Sequence, residues 1–305
     1  MASGPVIHRV LAASVRIADK AAELVRQIMT SGDLGIVDKG GQKNLQTKAD
    51  RSVEKLIRAS LISKFPKLVI IGEEDEGLDP SADAKVDLDP EVMKMECPAN
   101  YSTVNEENIV VWVDPLDGTA EFTEGLLDHV TILIGLAVNG KAVGGVVNQP
   151  FYNYQSGSQS QLGRSIWGLM GLGAFGWNRA EPPTGRRILI TTRSHSNKLV
   201  NLCLESMSPT AVERQGGAGN KVIRVIEGEA DAYVFASPGC KKWDTCAPEA
   251  ILCAIGGQLT DVHGKKIQYD ADVKWPNLGG VIATYREHNT IINLVPQEVK
   301  DALQG

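Results

Sequence analysis

More than any other pair of residues, Asn139-Gly140 restricts how this chain can fold. It stands between two apolar runs, residues 130–138 and 141–147. Asparagine and glycine tolerate the left-handed backbone that a two-residue hairpin turn requires, so the two runs pair as antiparallel neighbours. A third run, Ile109-Val110-Val111-Trp112-Val113, is apolar and rich in β-branched residues, the pattern of a buried strand. All three belong in one sheet. The third is expected to end at Asp114-Pro115, because proline has no N–H for the ladder.

Upstream, Ile7, Val10, Ile17, Ala21, Leu24 and Ile28 recur at threes, fours and sevens, which predicts an amphipathic helix packed on a body. A second helix is expected from Thr47 to about Lys64, stopped by Pro66, and a short strand at 68–71 ends at Gly72. From Glu73 to Asn108 the chain is acidic, interrupted by prolines and without periodicity, so most of it reads as an exposed insertion loop. The glycine- and aromatic-rich stretch 167–177 reads as a packed β-hairpin. Beyond Arg187 strands and helices alternate: a strand at 188–191, helices after Ser196 and Gly219, a strand at 233–235, and a helix from Asp244 to Ile255 ending at Gly256-Gly257. Alternation of this kind predicts an α/β unit with helices over a mixed sheet. Two lobes are expected, an N-terminal α+β lobe over 1–180 and a C-terminal α/β lobe over 181–305.

The 31 basic and 37 acidic side chains leave a net charge of -6, which offers no general attraction to a nucleic acid polymer or to a membrane. An anionic ligand must find local cations or bring metal. Five cysteines without a C-x-x-C pair argue against a disulfide framework or a structural zinc site, and fit a reducing, cytoplasmic location. No stretch approaches the roughly 18 uncharged apolar residues of a membrane span, and Arg16, Asp19, Lys20 and Glu23 exclude a signal peptide core.

Chemistry concentrates in Asp114-Pro115-Leu116-Asp117-Gly118-Thr119, two carboxylates three residues apart at a strand end. Proline and glycine turn the chain there, so that both carboxylates and the Leu116 carbonyl can converge, and such hard oxygens are what Mg²⁺ selects. A lone D-x-x-D caps helices and closes turns more often than it binds metal. A second acidic group, Glu73-Glu74-Asp75, also follows a strand, and Asp244 in Lys242-Trp243-Asp244 stands where a helix N-cap is expected. Thr47 and Asp50 have the spacing of a capping box with Asp in the acidic position. Asp50 therefore has two readings, a cap or a carboxylate that orients Thr119 and helps deprotonate water.

Together, Gly72-Glu73-Glu74, the Asp114–Thr119 motif and Trp243-Asp244 resemble the lithium-sensitive, magnesium-dependent phosphatase superfamily that includes inositol monophosphatases and bisphosphate nucleotidases. Three further stretches, 191–198, 216–221 and 237–244, look like those of the nucleotidases. The glycines of 216–219 would let backbone N–H groups approach a phosphate or ribose at a helix start. The resemblance implies a layered α-β-α-β-α sandwich of the sugar-phosphatase type. It implies two or three Mg²⁺ held by Glu73, Asp114, Asp117, Asp244 and the Leu116 carbonyl, with Asp50 and Thr119 as the proton-accepting pair. Thr119, Thr192, His195, Gly217 and Lys221 would contact substrate. The implied substrate is a small bisphosphate: adenosine 3′,5′-bisphosphate converted to 5′-AMP, then its 5′-phosphosulfate analogue, 2′,5′-bisphosphates and inositol 1,4-bisphosphate. Ala120 departs from the pattern, since a basic residue commonly follows the D-G-T turn. An inositol phosphatase and an inactive nucleotide-binding sensor are the alternatives, and the sequence is compatible with a monomer or a homodimer.

Overall fold

The computed structural model describes residues 4–40, 45–74, 85–157, 162–180 and 185–304. The chain begins with α1 (Val6–Ser31), a pair of two-residue strands β1 (Val37–Asp38) and β2 (Leu45–Gln46), α2 (Lys48–Lys64), β3 (Val69–Gly72), α3 (Pro90–Lys94), β4 (Ile109–Asp117) and α4 (Thr119–Glu124). Next come β5 (Thr131–Val138), β6 (Lys141–Gln149), β7 (Arg164–Leu169) and β8 (Gly173–Phe175). The last part holds β9 (Ile188–Thr192), α5 (Lys198–Ser206), β10 (Ala211–Gln215), α6 (Ala218–Ile226), β11 (Ala232–Phe235), α7 (Lys242–Ala254), β12 (Gln258–Thr260), β13 (Val281–Thr284), α8 (His288–Leu294) and α9 (Gln297–Ala302).

One sheet has the order β3-β4-β5-β6-β7-β8, with β3 parallel to β4 and the rest antiparallel. The other has the order β10-β9-β11-β13-β12, parallel at β10-β9-β11 and antiparallel after that. Every residue of β5 and of β9 is buried, so both sheets are covered on both faces. Helices α1 and α2 cover the outer face of the first sheet, α6 and α7 lie between the sheets, and α5, α8 and α9 complete an α-β-α-β-α sandwich.

The middle layer needs glycine. A Cβ on Gly135 would lie 2.7 Å from the Ala247 nitrogen, and one on Gly145 would lie 2.7 Å from the Ala247 Cα. Without side chains there, α7 rests backbone to backbone on β5 and β6, and its first turn reaches the end of β4. The predicted hairpin is present, with Asn139 and Gly140 at φ 51° and 70°. The 167–177 hairpin is also present, closed by Trp167 stacked on Phe175 at 4.4 Å.

Two expectations are corrected. Within the acidic segment, residues 85–108 are largely exposed as expected but are not a free loop throughout. Asp89 caps α3 ahead of Pro90, the Asp89 N–H donates to Ala12 of α1, and Val86 and Val92 are buried. A five-residue helix is too short to show periodicity; residues 75–84 lie outside the described residues. The second correction concerns β4, which does not stop at Asp114-Pro115. It continues to Asp117, where it pairs with Thr131, through a register shift that absorbs the proline. The sequence pattern predicts none of the short elements β1, β2, β10, β12, β13, α8 and α9.

Candidate active site

The bulge in β4 creates the site. Residues three apart on a regular strand face opposite sides of the sheet. Here Asp114 pairs with Leu133 and Asp117 with Thr131, so three steps along β4 match two along β5. The inserted residue brings Asp117 to the same side as Asp114. α7 then delivers Asp244, and one carboxylate oxygen from each of the three lies within 4.8 Å of the others. Glu73, at the end of β3, lines the same cleft of about 480 Å³ but stands outside that tight group. Leu116, Thr119, Thr192, His195, Gly217 and Lys221 line the cleft as well.

Several helix starts converge on these acids. Asp244 is the third residue of α7 rather than its N-cap, and its Oδ2 accepts the Lys241 N–H at 2.7 Å. Asp50 is likewise third in α2, where its Oδ2 accepts the Thr47 N–H at 2.7 Å and completes the capping box. Its Oδ1 accepts from the Thr119 hydroxyl at 2.9 Å. The two readings of Asp50 thus fall on its two oxygens. The same Thr119 hydroxyl stands 3.0 Å from the Leu116 carbonyl, so a single proton faces two acceptors.

Asp117 accepts from Thr131 Oγ1 at 2.6 Å and from the Ala218 and Gly219 N–H groups, each at 2.8 Å. The expectation that the 216–219 backbone points toward a ligand is therefore corrected at those two N–H groups, which the carboxylate occupies. Gly217 is needed for space. Its φ is 67°, and a Cβ would lie 2.4 Å from the His129 carbonyl oxygen. Lys221 donates to the Gly217 carbonyl at 2.6 Å and to Gln215 at 3.4 Å, with its ammonium 5.2 Å from the Tyr233 ring centre. Burial lowers its pKa against the pull of Asp117 and Glu121. Thr192 accepts the His195 N–H at 3.1 Å, and the exposed His195 ring contacts Ser194.

Sequence reasoning missed four residues around this group. Lys39 lies 2.7 Å from Glu74 and 3.9 Å from Glu73, at the end of a two-residue strand that carries no pattern. Thr131 meets Asp117 only through the bulge. Glu121, buried on the cleft wall, pairs with Arg193 at 3.2 Å across 72 positions, and Arg193 also binds Glu124. These two acids engage a cation close to Ala120 on the same short helix.

The acids need a countercharge. Burial, then repulsion from Glu73, Asp117 and Asp244, pushes Asp114 well up from the usual carboxylate range. Burial lifts Asp117 to about 6 although Lys221 opposes it, and burial plus Asp244 lifts Glu73 to about 8. Three carboxylates and a backbone carbonyl are the donor set of a hard divalent cation, and the site fits Mg²⁺. A carboxyl whose pKa is raised by folding contributes stability below its unfolded value, near 4.5 for Glu73, and loses it as pH rises through 8. The metal-free protein should therefore become less stable between about pH 5 and pH 8 in urea titrations, and added Mg²⁺ should remove much of that slope. A flat profile in chelator would contradict this electrostatic account.

The profile of the inositol monophosphatase family matches residues 7–300. The chain belongs to this family. Among family members, it is 56% identical to human 3′(2′),5′-bisphosphate nucleotidase 1 over 99% of this chain and 98% of that one. It is 36% identical to the protein of the same name from Dictyostelium discoideum, over 95% and 96% of the two chains. Inositol monophosphatase 3 of Xenopus laevis is 29% identical, over 96% of this chain and 83% of its own. The family fold is shared with the extragenic suppressor protein suhB of Bartonella henselae, which aligns at a TM-score of 0.67 and 22% identity over 93% of this chain and 96% of that one. Among the described residues, no helix is long and apolar enough to cross a membrane.

Proposed function

We propose that the chain is a Mg²⁺-dependent 3′(2′),5′-bisphosphate nucleotidase that hydrolyses adenosine 3′,5′-bisphosphate to 5′-AMP and phosphate. One observation carries the reading: the cleft that holds the three-carboxylate group also holds Thr192, His195, Gly217 and Lys221, the residues expected to contact a nucleotide. The 56% identity to a bisphosphate nucleotidase supports the same substrate class. The unpaired state of all five thiols supports a reducing, cytoplasmic location.

Asp114, Asp117, Asp244, Glu73 and the Leu116 carbonyl would hold the cations. When bound, Mg²⁺ supplies positive charge to the phosphate and the leaving oxygen and acidifies an attacking water. The protein's own part is proton handling and orientation. With the Leu116 carbonyl engaged, the Thr119 proton turns to Asp50, and Thr119 Oγ1 becomes the acceptor for a proton from water. Asp50 takes the Thr119 proton in turn, its basicity raised first by burial and also by Glu74, against the hydrogen bonds from Thr47 and Thr119. Lys221 spends hydrogen bonds on two carbonyls, which leaves one of its three N–H groups for the substrate. His195 at the rim and Thr192 beneath it orient the nucleoside.

This reading extends to the 5′-phosphosulfate analogue, to 2′,5′-bisphosphates and, more weakly bound, to inositol 1,4-bisphosphate. It also predicts lithium inhibition. Li⁺ resembles Mg²⁺ in size and prefers oxygen donors, yet brings half the charge to the same carboxylates. Steady-state assays on adenosine 3′,5′-bisphosphate and inositol 1,4-bisphosphate, with lithium titrated, test both halves. His195→Ala and Lys221→Ala should raise KM for the nucleotide more than for the inositol ester, because uniform binding contacts to the nucleoside are absent from the latter. Equal losses on both substrates would refute the nucleotide contacts, and indifference to lithium would refute shared occupancy of the carboxylates.

A further inference from the structure

A buried polar chain ties together the two elements that carry the three carboxylates. Tyr269, with 0% exposure, sits between β4 and α7. Its carbonyl accepts the indole N–H of Trp112, two residues before Asp114, at 3.1 Å. Its hydroxyl lies 2.5 Å from Glu249 Oε2 and 3.0 Å from Thr245 Oγ1, both on α7. Thr245 follows Asp244 directly, and its hydroxyl reaches the Lys241 and Lys242 carbonyls at 3.3 Å each. Asn277 donates to the Lys241 carbonyl at 3.0 Å and to Thr245 Oγ1 at 3.2 Å, closing the network around the first turn of α7.

We infer that Glu249 is a positioning residue for the metal centre: as a neutral carboxylic acid it donates to Tyr269 and so fixes Asp244 of α7 against Asp114 of β4. The inference rests on the metal reading given above. Proton counting carries it. With Glu249 ionised, the phenol must donate to it, and Thr245 must turn its single proton from the Lys241 and Lys242 carbonyls to Tyr269; with Glu249 protonated, Glu249 donates to Tyr269, Tyr269 to Thr245, and Thr245 keeps its proton on those α7 carbonyls. The Glu249, Tyr269 and Thr245 protons then each have an acceptor, as a dry interior requires. Burial pushes Glu249 up to about 8, against the opposing effects of the Tyr269 hydrogen bond and, less, of Lys266. A carboxyl group neutral at pH 7 has an amide counterpart in glutamine, which can also donate to Tyr269, and none in leucine.

The test is calorimetric Mg²⁺ binding to the intact, substrate-free protein, with Asp114→Asn as the control that identifies the site. Glu249→Leu and Tyr269→Phe should weaken Mg²⁺ binding about 10- to 100-fold, the usual scale for partners that orient ligands. Glu249→Gln should stay close to wild type. At saturating Mg²⁺ the kcat of each variant should recover most of its loss. Wild-type Mg²⁺ affinity in both Glu249→Leu and Tyr269→Phe would overturn the inference, even if their unfolding in chelator showed a stability loss. A Glu249→Gln defect as large as that of Glu249→Leu would overturn the neutral-donor role. If wild-type protein bound no Mg²⁺, or bound it unchanged in Asp114→Asn, the metal reading itself would fall, and this inference with it.

Discussion

Asp114→Asn is expected to lower phosphate release by more than about 100-fold, beyond the about 10- to 100-fold cost of losing an outer partner of a metal ligand. The substitution keeps volume and shape, and its side-chain oxygen can still accept the Leu116 N–H that lies 3.0 Å from Asp114 Oδ1. It removes a negative charge that the cation requires and that the metal-free protein finds costly. Repulsion from Glu73, Asp117 and Asp244 contributes to raising this carboxyl, so the metal-free variant should unfold no more easily than wild type. Activity and stability therefore move independently. Turnover near wild type, or a variant that has lost activity only because it no longer folds in chelator, would contradict the assignment.

Asp50→Asn should lower kcat by about 10²- to 10⁴-fold, the usual contribution of a positioned proton acceptor, with Mg²⁺ affinity and KM little changed. Asp50 uses Oδ2 for the Thr47 cap and Oδ1 for Thr119. Asparagine has a single oxygen. If it keeps the cap, its amide NH₂ faces Thr119 and the hydroxyl proton turns to the Leu116 carbonyl, so the route from water through Thr119 to residue 50 is broken. If it keeps Thr119, the α2 cap is lost, at a cost of about 1 kcal/mol. Parallel measurement of kcat, Mg²⁺ affinity and urea unfolding separates these outcomes. A stability loss of that size with full turnover per folded molecule would leave Asp50 as a helix cap only.

The sequence announced features whose cause is local. Asn139-Gly140 dictates a turn through its own backbone, the α1 stripe repeats with the helix period, and Thr47–Asp50 forms a capping box within four residues. It was silent where the cause lies elsewhere. Nothing near Asp114 reveals that β4 continues through Pro115, because the bulge is a relation between β4 and β5 and depends on how the two strands pair. The pairing of Arg193 with Glu121 and the link from Glu249 through Tyr269 to Trp112 of β4 cross long stretches of chain between residues that look ordinary in isolation. For α3, β12 and β13, five residues or fewer are too short to display a period, and burial is settled by neighbouring elements. The acids proposed to hold the metal stand out only as a joint pattern, since each alone reads equally well as a cap or a turn.

The central claim is that this cleft removes the 3′-phosphate from a nucleoside bisphosphate only when its carboxylates hold Mg²⁺. Phosphorus NMR of adenosine 3′,5′-bisphosphate mixed with chelator-treated protein, recorded before and after Mg²⁺ is added, tests it directly. Before addition both ester resonances should persist. Afterwards the 3′ signal should give way to inorganic phosphate in equal amount, while the 5′ signal remains as that of 5′-AMP. Two persistent ester signals in the presence of Mg²⁺, or hydrolysis proceeding at the same rate in chelator, would contradict the account.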